Sequence, residues 1–382
     1  MRVLLSILVV MESQNALKVR DITRVLEVWA PPALQESYDN SGLLVGDPDA
    51  KVTKVLVSLD CTEAVIDEAE QIGAEMIVSH HPIIFSGLKR LTGKNYVERT
   101  VLRAIKSGIA LYAIHTNLDN ILSGVNQELA TALGCKPESL KILRPKSDLL
   151  HHVTVYCPHA ESQNVRDAMF QAGAGSMGDY NNVSFNVQGQ GTFTPGKGAE
   201  PFVGNLGEAH VESETKIEVL VESWRSQSVV ASAISVHPYE EVAYSITPLV
   251  NKNNNIGAGI IGVLPEPIAW EEFLDGAKTA LDASHIKHTK APKELVSRIA
   301  VCGGSGSFLL GDAIAKNADV FLTSDFKYHE YFDADGKILI ADVGHYESEW
   351  RTSTLIANVI KHKFTKFAVR LASVNTNPVQ IR

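Results

Sequence analysis

Three short stretches of this 382-residue chain carry side chains whose types and spacing could hold metal ions. Ser79-His80-His81-Pro82 offers two imidazoles side by side on a turn. Neighbouring residues on an extended turn point different ways, so one histidine could serve each of two adjacent ions, or one could bind while the other orients a nearby group. His115-Thr116-Asn117-Leu118-Asp119 adds a carboxylate able to bind or bridge. Gly344-His345-Tyr346-Glu347-Ser348-Glu349 sets His345 and Glu349 four residues apart, on one face of a helix. Three histidines and two carboxylates make a nitrogen/oxygen donor set that zinc, manganese, iron or nickel accepts. Taken singly, a His-His-Pro run is more often an ordinary strand-end turn, and a His/Glu pair at this spacing is usually a solvated helix face. The joint reading gains weight because all three stretches follow expected strands.

Those strands belong to an α/β pattern. Val19–Trp29, Glu63–Ile72 and Val97–Ser107 read as helices, and Val52–Leu59, Met76–Ser79 and Ala110–Ile114 as strands. Such alternation points to βαβ units in a largely parallel sheet, with ligands gathering beyond the carboxyl ends of the strands. From His152 to about Val250 the order becomes strand, helix, strand, strand, helix, strand, the βαββαβ sequence of a ferredoxin-like unit. Gly189 to Gly207 reads as a loop within it, and Asn251 to Asn255 as the linker out. The α/β pattern then resumes with Ile256–Val263, helix Trp270–Leu281, strands Ser297–Cys302, Val320–Thr323 and Ile338–Asp342, and helices Leu310–Asn317 and Glu347–His362. The expected architecture is a discontinuous α/β domain over 12–148 and 256–382, interrupted by an inserted α+β domain over 149–255.

Composition narrows the function. With 44 acidic against 35 basic residues the formal charge is −9, which lacks the positive field that draws proteins to nucleic acid. Cys61, Cys135, Cys157 and Cys302 have no CxxC spacing, so neither a disulfide framework nor a thiolate zinc knuckle is indicated, and a reducing cytoplasm fits. Arg2 and the apolar run from Leu4 to Val10 resemble the start of a signal peptide. The run is about half the ~18 residues a membrane span needs, and no small-residue cleavage site follows. Residues 1–11 are therefore expected to be an extension, with Met1 or Met11 as the start. No other stretch is long and apolar enough to cross a bilayer.

The strings Tyr38 to Gly46, Ser79-His80-His81-Pro82, His115 to Asp119, Thr323-Ser324-Asp325-Phe326-Lys327-Tyr328-His329 and Gly344 to Glu349 together resemble the Ngg-interacting-factor-three-like family, whose bacterial members are also described as type 2 GTP cyclohydrolase I homologues. The likeness runs in order from about Leu17 to the C-terminus. It implies a dinuclear centre holding two divalent ions on His80, His81, Asp119, His345 and Glu349, with Glu349 as the bridge. The insert, ending in His237-Pro238-Tyr239-Glu240-Glu241-Val242-Ala243-Tyr244, resembles the CutA/PII-like domain of longer members, which implies a homohexameric ring. Ser324 and Ser41 depart from the family pattern, which places pocket shape in question rather than the ligands.

A two-metal centre suits metal-assisted hydrolysis, for which a nucleotide, a related heterocycle or a phosphoester would be substrate. Ring opening of GTP fits, with His329 and His115 as candidate acid or base and Asp325 as an orienting partner; a structural role for each is an equal alternative. Asn40 and Asn117 are candidates for substrate contact, though asparagines at such positions often stabilise turns. Gly303-Gly304-Ser305-Gly306 lacks the Lys-Ser/Thr of a P-loop and reads as a tight turn beside the pocket. Lys89, Arg90 and Lys94 could receive an anion or simply be solvated. His151, His152 and His237 belong with the insert, and Cys302 reads as a small core residue. The competing reading is a metal-binding regulatory or chaperone-like protein without turnover.

Overall fold

The computed structural model describes residues 17–382; the expected extension 1–11 and the choice between Met1 and Met11 lie outside the described residues. The chain divides into two compact units, one built from the chain up to Arg144 and from Gly257 to Arg382, the other from Pro145–Ile256.

The first unit contains two larger sheets, where the sequence pattern suggests one. In the five-stranded sheet the order is Ala368–Leu371, Lys54–Ser58, Met76–Ser79, Ala110–Ala113, Gly42–Val45. The first four are parallel and the last runs against them. Met76–Ser79 and Ala110–Ala113 are buried along their whole length, as parallel strands covered on both faces must be. Their crossover helices are cleanly punctuated. The Thr62 hydroxyl accepts from Val65 N–H at 3.4 Å to start Glu63–Ile72, and the Asn95 side chain accepts from Glu98 N–H at 2.9 Å to start Tyr96–Ser107. Gly73 and Gly108 end these helices, both at φ 66°, a conformation that favours glycine. Register aligns Ser58, Ser79 and Ala113, so the residues just past all three strands leave from one edge.

The second sheet has the order Lys287–His288, Leu339–Asp342, Val320–Ser324, Leu295–Ser305, Asn253–Ala269, Lys141–Lys146. Its central three strands are parallel, while Lys287–His288 and Asn253–Ala269 pair antiparallel. Alternate residues feed two cores: Ile299, Val301, Val320 and Leu322 on one face, Ala300, Cys302 and Phe321 on the other. Two local expectations need correcting. Asn253–Asn255 begin a strand rather than closing a linker. The helix expected at Glu347–His362 is two helices, His345–Glu349 and Thr352–Lys363; between them Trp350 donates its indole N–H to Leu281 O at 3.0 Å and the Arg351 guanidinium pairs with Glu128.

The other unit consists of Leu150–Pro158, helix Ser162–Gln171, Ser184–Phe193, His210–Glu222, helix Ser226–Val236 and Tyr244–Leu249. Spatially the last strand lies beside the first, then come the third and the second, all antiparallel, which is the ferredoxin-like arrangement. Val153, Val155, Ile217, Val219 and Val221 alternate inward against Val165, Met169, Val229 and Ala233 of the helices. The strand Ser184–Phe193 carries the sheet five residues, Gly189 to Phe193, into the segment expected to be loop.

Asp319 ties the second sheet together at the amino ends of its strands. Its buried carboxylate accepts from Ser297 N–H and Arg298 N–H at 2.9 Å each and from Lys293 Nζ at 2.5 Å. Burial opposes the charge, but these donors win and hold the carboxyl below its ordinary 3.8. A folded-state pKa below the unfolded one stabilises above the unfolded value and is lost as pH falls through it. Asp319→Ala should cost about 2–3 kcal/mol at pH 7. In urea unfolding, the gap between wild type and variant should shrink progressively below pH ~4.

Candidate metal centre

The carboxyl ends of both sheets of the first unit converge on Glu349. From the five-stranded sheet, Asp60 follows Lys54–Ser58, His80 and His81 follow Met76–Ser79, and His115 follows Ala110–Ala113, leading into the one-turn helix Thr116–Asp119. From the other sheet, Asp325 follows Val320–Ser324, and His345–Glu349 follows Leu339–Asp342. Two turns of sequence logic that look unrelated along the chain thus meet in space.

Each histidine is fixed through Nδ1. The His80 Nδ1–H donates to Ile114 O at 2.8 Å, which leaves Nε2 as the lone pair. His81 Nδ1 donates to Asp60 at 2.7 Å, His345 Nδ1 to Asp325 at 2.7 Å and His115 Nδ1 to Asp39 at 2.7 Å. The Nε2 atoms are thereby aimed inward. His81 Nε2 lies 3.0 Å and His345 Nε2 3.1 Å from Glu349 Oε2, while His80 Nε2 lies 3.8 Å from Glu349 Oε1 and 3.6 Å from Asp119 Oδ1. One carboxylate therefore shows one oxygen to each of two donor groups: His80, Asp119 and Glu349 on one side, His81, His345 and Glu349 on the other. His115 joins His80 and His81 in a third grouping, its ring 5.3 Å and 5.4 Å from theirs.

The donors fit metal ions. His80 Nε2 and Asp119 Oδ1 are both sealed from solvent without a hydrogen-bond partner, although they face each other. Two ligand atoms each about 2.0–2.2 Å from a shared ion at a tetrahedral angle end up roughly 3.3–3.6 Å apart, and these two stand 3.6 Å apart. Orphaned buried polar atoms are costly unless something satisfies them, and a cation between them does so.

Electrostatics separates the groups. Burial, with the neighbouring histidine charges working against Glu349's pull, keeps His80 below its ordinary value and neutral. Burial also pulls down on His81, but hydrogen bonds to Asp60 and Glu349 prevail and raise it to about 10. His345 is raised to about 11 against the same burial, by the charge of Glu349 and its bond to Asp325. Burial, then the Glu349 charge, pushes Asp119 well above the usual carboxyl range, whereas Glu349 is held well below it, despite burial, by His345 above all. Asp60 and Asp39 are lowered against burial by His81 and His115, and Asp325 by its hydrogen bond from His345.

A glycine turn completes the wall. Gly304 has φ +62°, and a Cβ there would come within 2.5 Å of Glu349 Oε1. Its N–H donates to Ser348 Oγ at 2.9 Å, and its carbonyl accepts from Thr323 at 2.9 Å and Ser324 at 2.6 Å. The hydroxyl of Ser324, where the family pattern often has glycine, is used to hold this turn. Ser41 likewise donates to Asp39 at 3.1 Å, beneath His115.

The remaining candidates sort as follows. His329 is exposed, packs against Tyr328 and Phe332, and belongs to none of the three groupings. Asp325 does orient a histidine, but that histidine is His345. Asn40 spends its amide on Ile84 O and Asn117 on Ala30 O, so both brace loops. Lys89, Arg90 and Lys94 are exposed. Cys302 is buried, and its thiol is pushed far up by burial and then by Asp119 and Glu349. His151 and His237 make their hydrogen bonds inside the other unit, to Ser226 and Tyr156 O. Asp60 and Asp39 are the site residues that sequence reasoning left unassigned; Asp60 is the third strand-end residue of its sheet, so the rule that picks His80 and His115 would have reached it.

Comparison with known proteins agrees with this architecture. The model of the family described as Duf34/NIF3 (NGG1p interacting factor 3) matches residues 17–378. The "GTP cyclohydrolase 1 type 2 homolog" of Halalkalibacterium halodurans is 38% identical over 363 residues, 94% of this chain and 97% of that protein, and the Bacillus subtilis protein of the same name is 34% identical over 369 residues, 94% of this chain and 97% of its own. Among solved structures, the Bacillus cereus protein related to NIF3 superposes with a TM-score of 0.83 at 31% identity, covering 96% of this chain and all of its own, and Staphylococcus aureus SA1388 with 0.76 at 28% identity over 97% of this chain and all of its own. With an α/β framework that places these histidines and carboxylates together and a family match over nearly its whole length, this chain belongs to the Duf34/NIF3 family.

Proposed function

We propose that the protein is a dinuclear-metal-dependent hydrolase acting on a nucleotide or a related heterocycle, in the manner that its relatives' name, GTP cyclohydrolase 1 type 2 homolog, suggests. The observation that carries this reading is the single buried carboxylate of Glu349, which turns Oε1 toward His80 and Oε2 toward His81 and His345. His80, Asp119 and Glu349 would hold one divalent ion, and His81, His345 and Glu349 the other; zinc, manganese, iron and nickel all suit the donors. When bound, such a pair lowers the pKa of a water and polarises the group under attack.

The chain's own residues supply the rest. Asp60 and Asp325 fix the ring orientation of His81 and His345, and removing such partners typically costs about 10–100-fold in metal affinity or activity. His115, anchored to Asp39, has its Nε2 free to hold or deliver a proton beside His80 and His81. In ring opening, water oxygen bonds to the attacked carbon, the carbon–nitrogen bond breaks, and the leaving nitrogen takes a proton, for which His115 is the better placed of the two histidines first considered. Two cavities adjoin His81. One of about 430 Å³ includes His285, Lys287 and His345, and one of about 550 Å³ includes Phe85 and Tyr96. The aromatic rings of the second suit the base of a nucleotide, whereas the first sets Asp60, Asp325, Asp342 and Glu347 beside its lysine and histidines.

The four cysteines are free and buried, which supports a reducing cytoplasm, and no helix among the described residues is long and apolar enough to cross a membrane. The CutA/PII-like character of the insert and the ring hexamer rest on the family resemblance; light scattering on the purified protein measures the latter.

Metal-loaded protein incubated with GTP and a panel of nucleotides and phosphoesters should yield a hydrolysed product by mass spectrometry, and Glu349→Ala should lose it by at least about 100-fold. A protein carrying two ions per chain that turns over nothing would favour the regulatory reading instead. Gly304→Ala should lower metal affinity by roughly 10–100-fold while the far-ultraviolet circular dichroism stays native, because the new methyl collides with Glu349 and not with a strand. Wild-type metal content in that variant, measured by inductively coupled plasma mass spectrometry, would show that Glu349 is free to move and is not the bridge.

A further inference from the structure

The inserted unit holds a cavity of about 450 Å³ that the proposed chemistry at Glu349 does not use. Its floor is the end of the sheet, where Ser184–Phe193 and His210–Glu222 pair as far as Phe193 opposite His210. The connection between these strands folds back over it. Gly207 N–H closes the loop onto Pro195 O at 2.8 Å, and Glu200 N–H donates to Glu240 Oε1 at 2.9 Å, tying the loop to the His237-Pro238-Tyr239-Glu240-Glu241 segment.

Aromatic rings and carboxylates line the space. The Tyr239 ring stands 6.2 Å from Phe193 and 6.3 Å from Phe202, with Tyr156 also on the wall. Glu214, Glu240 and Glu241 contribute three carboxylates, and no lysine, arginine or histidine lines the cavity. Among the described residues none of the three carboxylates has an ion-pair partner. Glu214 lies across Gly191 so closely that a Cβ there would meet its Oε2 at 2.2 Å, so the glycine makes the room the carboxylate occupies. The Tyr239 hydroxyl is sealed from solvent and faces the Glu214 carboxylate, and burial, then the Glu214 charge, pushes the phenol above its ordinary value.

These features select a ligand. An anion would face three like charges, and a neutral apolar molecule would leave the half-buried Glu214 carboxylate without a counter-charge, while Glu240 and Glu241 remain in solvent. A bare metal ion would leave the aromatic walls without a role. A cation with an apolar body satisfies both, because the faces of aromatic rings are negative and attract positive charge within about 6 Å. We propose that this cavity binds an organic ammonium ion, whose N–H groups donate to the Glu214 carboxylate and the Tyr239 hydroxyl oxygen while its carbon chain lies against Phe193 and Phe202. The site is independent of the reading at Glu349.

Saturation-transfer NMR on the full-length protein tests this with three probes: butylammonium, spermidine and the uncharged 1-pentanol. Butylammonium and spermidine should bind, and 1-pentanol should bind roughly tenfold more weakly or worse. Glu214→Gln, which keeps the shape and removes the charge, should weaken both amines by roughly tenfold, and Phe202→Ala should weaken them too; Phe202 is 57% exposed, so its loss leaves the fold intact. Metal content should be unchanged in both variants. The proposal is overturned by 1-pentanol binding as tightly as the amines, by wild-type affinity in both variants, or by no amine binding up to about 10 mM.

Discussion

Everything at the centre depends on which nitrogen of each histidine is tied down. An imidazole can present either ring nitrogen, and a cluster of free histidines would sample both and assemble no defined site. Here a carbonyl or a carboxylate takes Nδ1 in every case: Ile114 O for His80, Asp60 for His81, Asp325 for His345, Asp39 for His115. The tautomer and ring angle are thereby set before any ion arrives, and Glu349 sits where the remaining nitrogens point. Because the anchors come from strand ends in both sheets, the sheets themselves hold the geometry.

That arrangement is electrostatically demanding. Two buried carboxylates within reach of the same histidine repel each other, and the protein resolves this by driving them in opposite directions, Asp119 up and Glu349 down. His81 and His345 are raised because each lies between two carboxylates, while His80, whose Nδ1 partner is a neutral carbonyl, is lowered. The contrast among three histidines a few ångströms apart follows from burial, complete at His80, together with their partners' charge. Left without a cation, His80 Nε2 and Asp119 Oδ1 stay unpaired in a dry site, a cost that a fold optimised only for stability would shed by apolar replacement.

Much of this could be read from the residues. Glu63–Ile72 forms as patterned because its periodicity, the Thr62 cap and the Gly73 stop agree, and Met76–Ser79 and Trp270–Leu281 form on their apolar pattern, the helix ending at Asp282 rather than at a glycine. The stretches holding His80, His81, Asp119, His345 and Glu349 were visible as strand-end segments. The division into two sheets was not, since periodicity reports which face of a strand is buried and says nothing about which strands pair. His329 reads in sequence as a candidate acid or base with Asp325 as its orienting partner, but the 3-10 helix Tyr328–Ala334 in which it sits holds it at the surface. Gly304 was seen only as part of a glycine-rich turn; its role depends on a contact with Glu349, 45 positions away, that no local pattern encodes.

The two donor groups differ in how far they reach solvent. In one donor group His80 is fully buried and Asp119 24% exposed, in the other His81 is 21% and His345 42% exposed, and Glu349, common to both, is buried. Structural metal sites are closed by four protein ligands, whereas catalytic ones keep a position open to water or substrate. Each group offers three donors; the one formed by His81, His345 and Glu349 adjoins both cavities that include His81, while in the other His80 Nε2 and Asp119 Oδ1 are sealed from solvent. On the hydrolase reading proposed above, the group that opens on those cavities is the one a substrate would meet.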